Sequence, residues 1–439
     1  MAEAPNVLLI TLDTVRAQSV SLCGYQRPTT PELERLARRG VSFDRAIATA
    51  SWTLPSHASM FTGRFPREIF YNIPYAFVHK AASGMDDRYP TLAEFFDRHG
   101  YRTSAFVANS VFCDRVYGLN RGFTHYDDYK ISFEQVVKSA HLSVALAELV
   151  LRPHGDDFML ARKSAADVNR EFLRWLDHAG GRPFFTFLNY MDAHKPYEPP
   201  PSFAGRFVTP GARSAAQEGE MRSPASLQDD YECCIAALDH QIGLLFEELG
   251  RRGVLKHTLV IIASDHGELI GDQVGDDELF GHGETLYLKE IQVPLVVIEP
   301  GRVPAGVRVA ANRPVSLRDV PATVCDLLGL MDEAPFPGAS LRRFWQAAPA
   351  EPVYSELDVK AAKPLRVRSI VDERFHYIEG HMEGSTEPLR HLYDLQRDSA
   401  EAHDLAETSE AEGTMARAHA RIEEHDAHLQ GVTPQPSGR

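Results

Sequence analysis

Three stretches of the chain are apolar and branched almost without interruption: 6-NVLLITLD-13, 184-FFTFLNYMD-192 and 258-TLVIIASDHG-267. A half-exposed strand alternates between apolar and polar residues. A strand without alternation is covered on both faces, as in a parallel sheet sandwiched between helices. Segments with helical patterning lie between these runs, namely 31-PELERLARRG-40, 90-PTLAEFFDRHG-100 and 229-DDYECCIAALDHQIGLLFEELGRRG-253. Several of them close with Gly after a basic turn, which is a helix stop signal. The alternation predicts an α/β fold with a mostly parallel central sheet flanked by helices. Two further runs, 103-TSAFVA-108 and 293-VPLVVIEP-300, add strands to it.

Past 337-PGASLRRFWQAAPAEP-352 the pattern changes. The runs 365-LRVRSIV-371, 374-RFHYIEG-380 and 391-HLYDL-395 are shorter and alternate, predicting a small C-terminal antiparallel sheet. The expected division is a large α/β domain over 1–345, a subdomain over 346–430 ending in a polar helix at 401–429, and a disordered tail over 431–439. Residues 199–219, rich in Pro, Gly and Ser, read as a long surface loop, and 130–165 as mixed helix and loop. Both are expected to shape a substrate pocket.

Composition narrows the function classes. A chain of 439 residues exceeds one ordinary core, in keeping with a large and a small domain. The net charge of -15 excludes nucleic acid or an anionic membrane as the main partner. A small anionic ester remains open as substrate, because a bound metal can invert the local field. The five cysteines are scattered and form no CxxC pair, so neither a zinc ribbon nor a disulfide framework is expected. The start, MAEAPNVLLITLD, lacks the pattern of a secretory leader, and no run approaches the ~20 apolar residues of a membrane span. A cytoplasmic location is therefore expected. Oligomeric state is left open.

Each of the three buried strand runs ends in a carboxylate: Asp13, Asp192 (with His194 two residues on) and Asp265, followed at once by His266. In open α/β sheets, ligands gather outside the carboxyl ends of the strands. Carboxylate oxygens and imidazole nitrogens together suit a divalent cation. A single strand-end Asp is more often a turn former or helix cap; three such ends tell against that reading. A separate stretch, 51-SWTLPSHASMFTGRFP-66, sets Thr53 two residues before a proline and an apolar, helix-like run. That places Thr53 just outside a helix N-terminus, where amides and dipole favour an anion. It could serve there as a cap or as a nucleophile.

With these residues in view, the chain resembles the sulfatases and their relatives in the alkaline phosphatase superfamily. The matching segments are 6-NVLLITLDTVR-16, 27-RPTTPELERLARRGVSFDRA-46, 51-SWTLPSHASMFTGRFP-66, 189-NYMDAHKPYEPP-200, 264-SDHGELIGD-272, 281-GHGETLYLKEIQVPL-295 and 392-LYDLQRDSAEAHDLA-406. The resemblance implies a metal site formed by Asp13, Thr53, Asp265 and His266, with Thr53 in the nucleophile position. It implies that His194 contacts substrate and that His282, near the place of a later Lys or His in the family, grips the anionic group. Asp192, His194 and His282 would complete a second metal site or else contact the substrate directly. Thr14, His57 and Lys195 are further candidate substrate contacts.

Two departures from the family pattern carry chemistry. Metal-binding sulfatases have two adjacent aspartates after the first strand; here the second place is Thr14. The loss of a carboxylate favours zinc or manganese over calcium or magnesium. Sulfatases also carry Cys or Ser at the nucleophile position, oxidised to formylglycine and supported by Arg. Here these places hold Thr53 and His57. Oxidising a threonine side chain yields a ketone, so no formylglycine is expected. An unmodified alcohol has to be freed by attack of water on the esterified centre, which is ordinary for phosphoryl and slow for sulfuryl groups. The expectation is a metal-dependent phosphodiesterase or phosphonate monoester hydrolase with a threonine nucleophile. Three alternatives stand beside it: a sulfatase using unmodified Thr53, a phosphotransferase to an alcohol acceptor, and a metal-binding protein with a degenerate site.

Overall fold

The computed structural model describes residues 4–70, 84–128, 162–210, 222–274, 277–346, 348–359, 365–382 and 388–432. The expected helix and loop over 130–165 and the expected tail over 431–439 thus fall almost wholly outside the described residues, as does the second half of the loop expected over 199–219; residues 431 and 432 are the end of the last helix.

The first buried run is β1 (Asn6–Leu12), central in a sheet with β2 (Val41–Ile47), β3 (Arg102–Val107), β4 (His125–Asp127), β5 (Phe184–Tyr190) and β6 (Thr258–Ala263). β1 pairs in parallel with β5 on one side and β6 on the other, and β3 runs parallel to β5. Alternate side chains go to opposite layers: Val7 and Leu9 join one core, Leu8, Ile10 and Leu12 the other. That is why the run shows no polar alternation. Each face is covered by helices, including α1 (Pro31–Ala37), α2 (Thr53–Thr62), α3 (Pro66–Ile69), α4 (Leu92–Arg98), α5 (Ala165–Asp177) and α6 (Pro224–Arg251).

The strand read at 293–300 is seventh in this sheet by position in the chain. A two-stranded ribbon, β7 (Leu269–Val274) and β8 (Asp277–Gly281), and a short helix, α7 (Leu288–Ile291), come before it. The strand itself, β9 (Gln292–Ile298), runs antiparallel to β6 and β2, so the sheet is mixed but mostly parallel. Short β10 (Val307–Val309) and β11 (Val315–Ser316) pair in parallel with β2.

The C-terminal strands β12 (Val353–Val359), β13 (Leu365–Val371), β14 (Phe375–Met382) and β15 (Leu389–Asp394) form the expected antiparallel sheet. The final helix, Glu412–Val432, starts eleven residues later than its polar pattern at 401 suggests. The chain from 398 to 411 is held in turns instead, because carboxylates capture the amides a helix would need. Asp398 accepts from Ala402 (3.1 Å) and His403 (2.7 Å), and Asp404 accepts from Leu392 and Ala406 (2.9 Å each). The helix read at 229–253 conversely begins earlier, at Pro224 behind a Ser223 cap.

Candidate active site

Parallel register brings the strand ends to one edge. Thr11 pairs with both Asn189 and Ala263, so Asp13 and Asp265 each stand two residues past a shared rung. The two ends are stitched together by Ser264, whose hydroxyl donates to the Leu12 carbonyl and accepts from the Val15 amide at 2.9 Å. Thr14 adopts a left-handed backbone (φ 62°), costly for a β-branched residue, and so turns its amide onto Asp265 Oδ1 at 3.2 Å. Its hydroxyl folds back to the Asp13 carbonyl at 2.7 Å.

Asp13, Asp265 and His266 are fully buried, and one ligand atom from each lies within 4.8 Å of the others. His266 donates from Nδ1 to the Gly267 carbonyl at 2.9 Å; since a carbonyl only accepts, Nε2 is left with its lone pair facing the carboxylates. Nε2 stands 3.8 Å from Asp13 Oδ1 and 3.5 Å from Asp265 Oδ2. Those two oxygens have no hydrogen-bond partner among the described residues. Burial, and then the neighbouring Asp13 carboxylate, push Asp265 well above the usual carboxylate range. Two facing carboxylates and an imidazole nitrogen whose lone pair faces them, all fully buried, form a donor set that a divalent cation fits.

Thr53 is the first residue of α2, and its side chain makes no helix cap. Its Oγ1 lies 3.2 Å from His266 Nε2 and accepts from Asn109 Nδ2 at 3.4 Å. His57, one turn on, lies under this arrangement. It donates from Nδ1 to the Thr53 carbonyl (2.8 Å), and its Nε2 accepts from Thr11 Oγ1 (3.0 Å). Burial pulls its pKa down, so it is a neutral brace for the first turn of α2.

His282 stands against His266, with ring centroids 4.5 Å apart, and His194 packs against His282 at 5.2 Å. His194 donates from Nδ1 to the Lys195 carbonyl at 2.7 Å. His282 is bound through Nδ1 to the buried Glu268 Oε1 at 3.0 Å. Burial alone would lower the pKa of His282, but the Glu268 carboxylate outweighs it and raises the imidazole above its ordinary value. Glu268 is held below the usual range by the same contact, against the effect of its burial. Asp192 points elsewhere: its Oδ1 accepts from the Ala165 amide at the head of α5 at 3.0 Å. Lys195 is exposed.

Two participants escape a search for strand-end carboxylates. Asn109 follows β3 just as Asp13 follows β1, and donates to Asp13 Oδ2 at 2.7 Å. Its own Oδ1 accepts from the Val111 (3.2 Å) and Phe112 (3.1 Å) amides, which fixes the NH2 group toward the site. An amide is not a metal ligand of choice, so its residue type carries no alarm. Glu268 lies three residues past Asp265 within a quoted motif, but its partner His282 is remote in sequence.

A family model described as Sulfatase matches residues 5–330. Among known proteins the chain is similar to an arylsulfatase of Clostridium perfringens, 24% identical with 77% of this chain and 78% of that protein covered. It is also similar to a choline-sulfatase of Rhizobium meliloti, 24% identical over 92% of this chain and 82% of that protein. Among solved structures it is similar to a phosphonate monoester hydrolase of Agrobacterium radiobacter, with a TM-score of 0.74, 24% identity and 97% and 96% of the two chains covered. Another such hydrolase, from Silicibacter pomeroyi, matches at a TM-score of 0.71 and 21% identity, covering 98% of this chain and 96% of that chain.

Proposed function

The chain belongs to the sulfatase family of ester hydrolases, and from that premise we propose that it cleaves a phosphate ester, a phosphodiester or phosphonate monoester, through a covalent intermediate on Thr53. The observation that carries this reading is the position of Thr53 Oγ1, 3.2 Å from His266 Nε2 and beside the buried Asp13–Asp265–His266 cluster. The side-chain methyl of Thr53 closes the formylglycine route and leaves an alcohol as attacking group.

Asp13, Asp265, His266 and Thr53 would hold the cation, and a set of two carboxylates, one imidazole and one hydroxyl suits zinc or manganese. Such an ion supplies Lewis acidity and charge neutralisation at the ester. The chain's own residues do the rest. Thr53 Oγ forms a bond to phosphorus as the bond to the leaving oxygen breaks; the Thr53 proton passes to solvent. Asn109, with its NH2 fixed toward Asp13 and Thr53, offers a donor to the attacking oxygen. His282, whose pKa Glu268 raises, is the side chain beside the cluster that can give the leaving oxygen a proton and later take one from water; His194, which burial holds toward the neutral form, offers an accepting nitrogen. Water then attacks phosphorus as the phosphorus–Oγ bond breaks, giving its proton to His282, and Thr53 takes back from solvent the proton it released in the first step.

The similarity to phosphonate monoester hydrolases supports the choice of phosphorus over sulfur. The similarity to an arylsulfatase and a choline-sulfatase supports the rival reading, a sulfatase with an unmodified threonine. Intact-protein mass spectrometry after incubation with a panel of aryl phosphodiesters, phosphonates and sulfates separates them. The expected result is a phosphoryl or phosphonyl adduct mapped to Thr53. A sulfuryl adduct, or turnover of aryl sulfate faster than aryl phosphodiester, would defeat the proposal, and adduct decay accelerated by added alcohol would make the protein a phosphotransferase.

A further inference from the structure

His282 leaves the β7–β8 ribbon just after Gly281 pairs with Leu269, and beyond that rung its backbone has little stiffness of its own. It is flanked by Gly281 (φ 87°) and Gly283 (φ 83°), both in the left-handed region where only glycine is at ease. Such a segment loses more entropy on ordering than any other, so something outside it has to set the position of the imidazole. We propose that Glu290, anchored in turn from the C-terminal sheet by Glu401, is the positioning residue that places His282 for turnover. The inference rests on the reading above, in which His282 meets the substrate.

Glu290 has no exposed surface and makes no ion pair among the described residues. Its carboxylate is spent on the His282 loop instead. Oε1 accepts from the Gly283 amide at 2.9 Å, and Oε2 accepts from the Thr285 hydroxyl. The amides of Glu284 and Thr285 also point at it. Burial outweighs these donors and raises the pKa of Glu290 well above the usual carboxylate range, but each bond still ties one point of the loop to the same buried side chain.

The backbone of the same short helix, α7, grips the cluster's other side. The Gly267 amide donates to the Glu290 carbonyl at 2.6 Å, and the Glu268 amide donates to the Lys289 carbonyl at 3.1 Å. The approach is so close that a Cβ on Gly267 would lie 2.1 Å from the Lys289 oxygen. One helical turn therefore sets the spacing between His266 and His282.

α7 is itself tied to the C-terminal sheet. The Leu288 amide donates to Glu401 Oε2 at 2.7 Å. Glu401 sits in a left-handed conformation (φ 58°) and is bound through Oε1 to buried His376, whose Nε2 meets Ser369 Oγ at 3.0 Å. A non-glycine residue keeps that conformation only where its surroundings over-determine it. The line Ser369–His376–Glu401–α7–Glu290 runs from a C-terminal strand to the His282 loop.

A double-mutant cycle tests this, using the aryl ester that the wild-type protein turns over fastest. Glu290→Gln keeps shape but replaces an accepting oxygen with a donor facing donors. The expected loss in kcat is about 10–100-fold, with Mn²⁺ affinity, read by thermal shift, unchanged within about threefold. His282→Ala is expected to cost as much or more, and the double variant to be no slower than His282→Ala alone, because Glu290 acts through His282. Glu401→Gln is expected to show the same non-additivity and carries the test should Glu290→Gln fail to fold. A Glu290→Gln loss that persists in full on the His282→Ala background overturns the bracing role. Wild-type turnover in His282→Ala overturns instead the catalytic reading of His282 on which it rests.

Discussion

Thr53 Oγ1 and His266 Nε2 stand 3.2 Å apart although 213 positions separate them in the chain. Thr53 is delivered by the head of a helix and His266 by the end of a strand. Neither side chain has a second conformational use, since Thr53 caps nothing and His266 spends Nδ1 on its neighbour's carbonyl. Thr53→Ala is expected to lower turnover at least ~10³-fold while leaving the thermal midpoint within a few degrees. Thr53→Ser, which keeps the hydroxyl, is expected to retain measurable turnover. Steady-state kinetics with a melting curve decide it, and a fully active alanine variant removes Thr53 from the mechanism.

Asn109 predicts a different signature. It holds Asp13 Oδ2 and so leaves Oδ1 as the free oxygen of that carboxylate. Asn109→Ala is expected to cost about 10²-fold in kcat, the usual effect of deleting one fixed donor at a reacting oxygen. Cation affinity, followed by isothermal titration with Mn²⁺, should change far less. A large loss of affinity with unchanged kcat would assign Asn109 to the ligand shell instead.

Facing carboxylates, each with one oxygen left without a hydrogen bond among the described residues, make a signed prediction for stability. Without a cation, Asp265 is disfavoured as an anion by burial and by Asp13, so Asp265→Asn should raise the melting temperature of the metal-free protein. The same variant should lose the stabilisation the wild type gains on adding Mn²⁺ or Zn²⁺, expected at about 2.7 kcal/mol for a cation at a hundred times its Kd. Paired melting curves with and without chelator read both effects. A variant stabilised by cation as strongly as the wild type would exclude Asp265 as a ligand.

Acid sensitivity is expected from a site remote from the chemistry. His425, on the last helix, stacks on Tyr354 with centroids 4.1 Å apart and meets the edge of Phe65 at 4.6 Å. Burial, then the Arg67 guanidinium, lower its pKa to about 3; Arg318 and His428 act the same way and Asp426 opposes them. The folded state thus keeps His425 neutral, while the unfolded chain takes up a proton below about pH 6.5. Stability from this residue is complete above that pH and lost as pH falls from about 6.5 toward 3. Relative to His425→Phe, the wild type should lose on the order of 2 kcal/mol between pH 7 and 5, measured by urea unfolding. Parallel pH profiles would contradict this.

Much of the architecture was legible because each element obeys a local rule. Runs such as Val7–Leu12 lack alternation because both faces of β1 are covered, and the alternating C-terminal runs do form an antiparallel sheet. Where local pattern misled, tertiary hydrogen bonds had won. The polar stretch after 401 looks helical, yet Asp398 and Asp404 take its amides and Glu401 is drawn toward α7. The direction of β9 was equally invisible, because a buried strand has the same composition whichever way it runs.

For the site, strand-end chemistry pointed to Asp13, Asp265 and His266, and the family motifs added Thr53. These follow from residue type and from the rule that parallel strands deliver their ends to one edge. That rule could not say which strand-end carboxylate turns inward. Asp192 has the same credentials as Asp13, but the exposed amides at the head of α5 lie within its reach, and it bonds there. Nor could it single out Asn109, Glu268 or Glu290, ordinary polar residues whose meaning comes from a partner far along the chain. Sequence by itself determined the layers, the sheet edge at which the strand-end side chains gather and the chemical kinds available there, because these depend on local pattern and residue type. Only the tertiary structure decided which oxygens stay unpaired and which imidazole nitrogens face the cluster, because both are settled by contacts between segments that chain order leaves far apart.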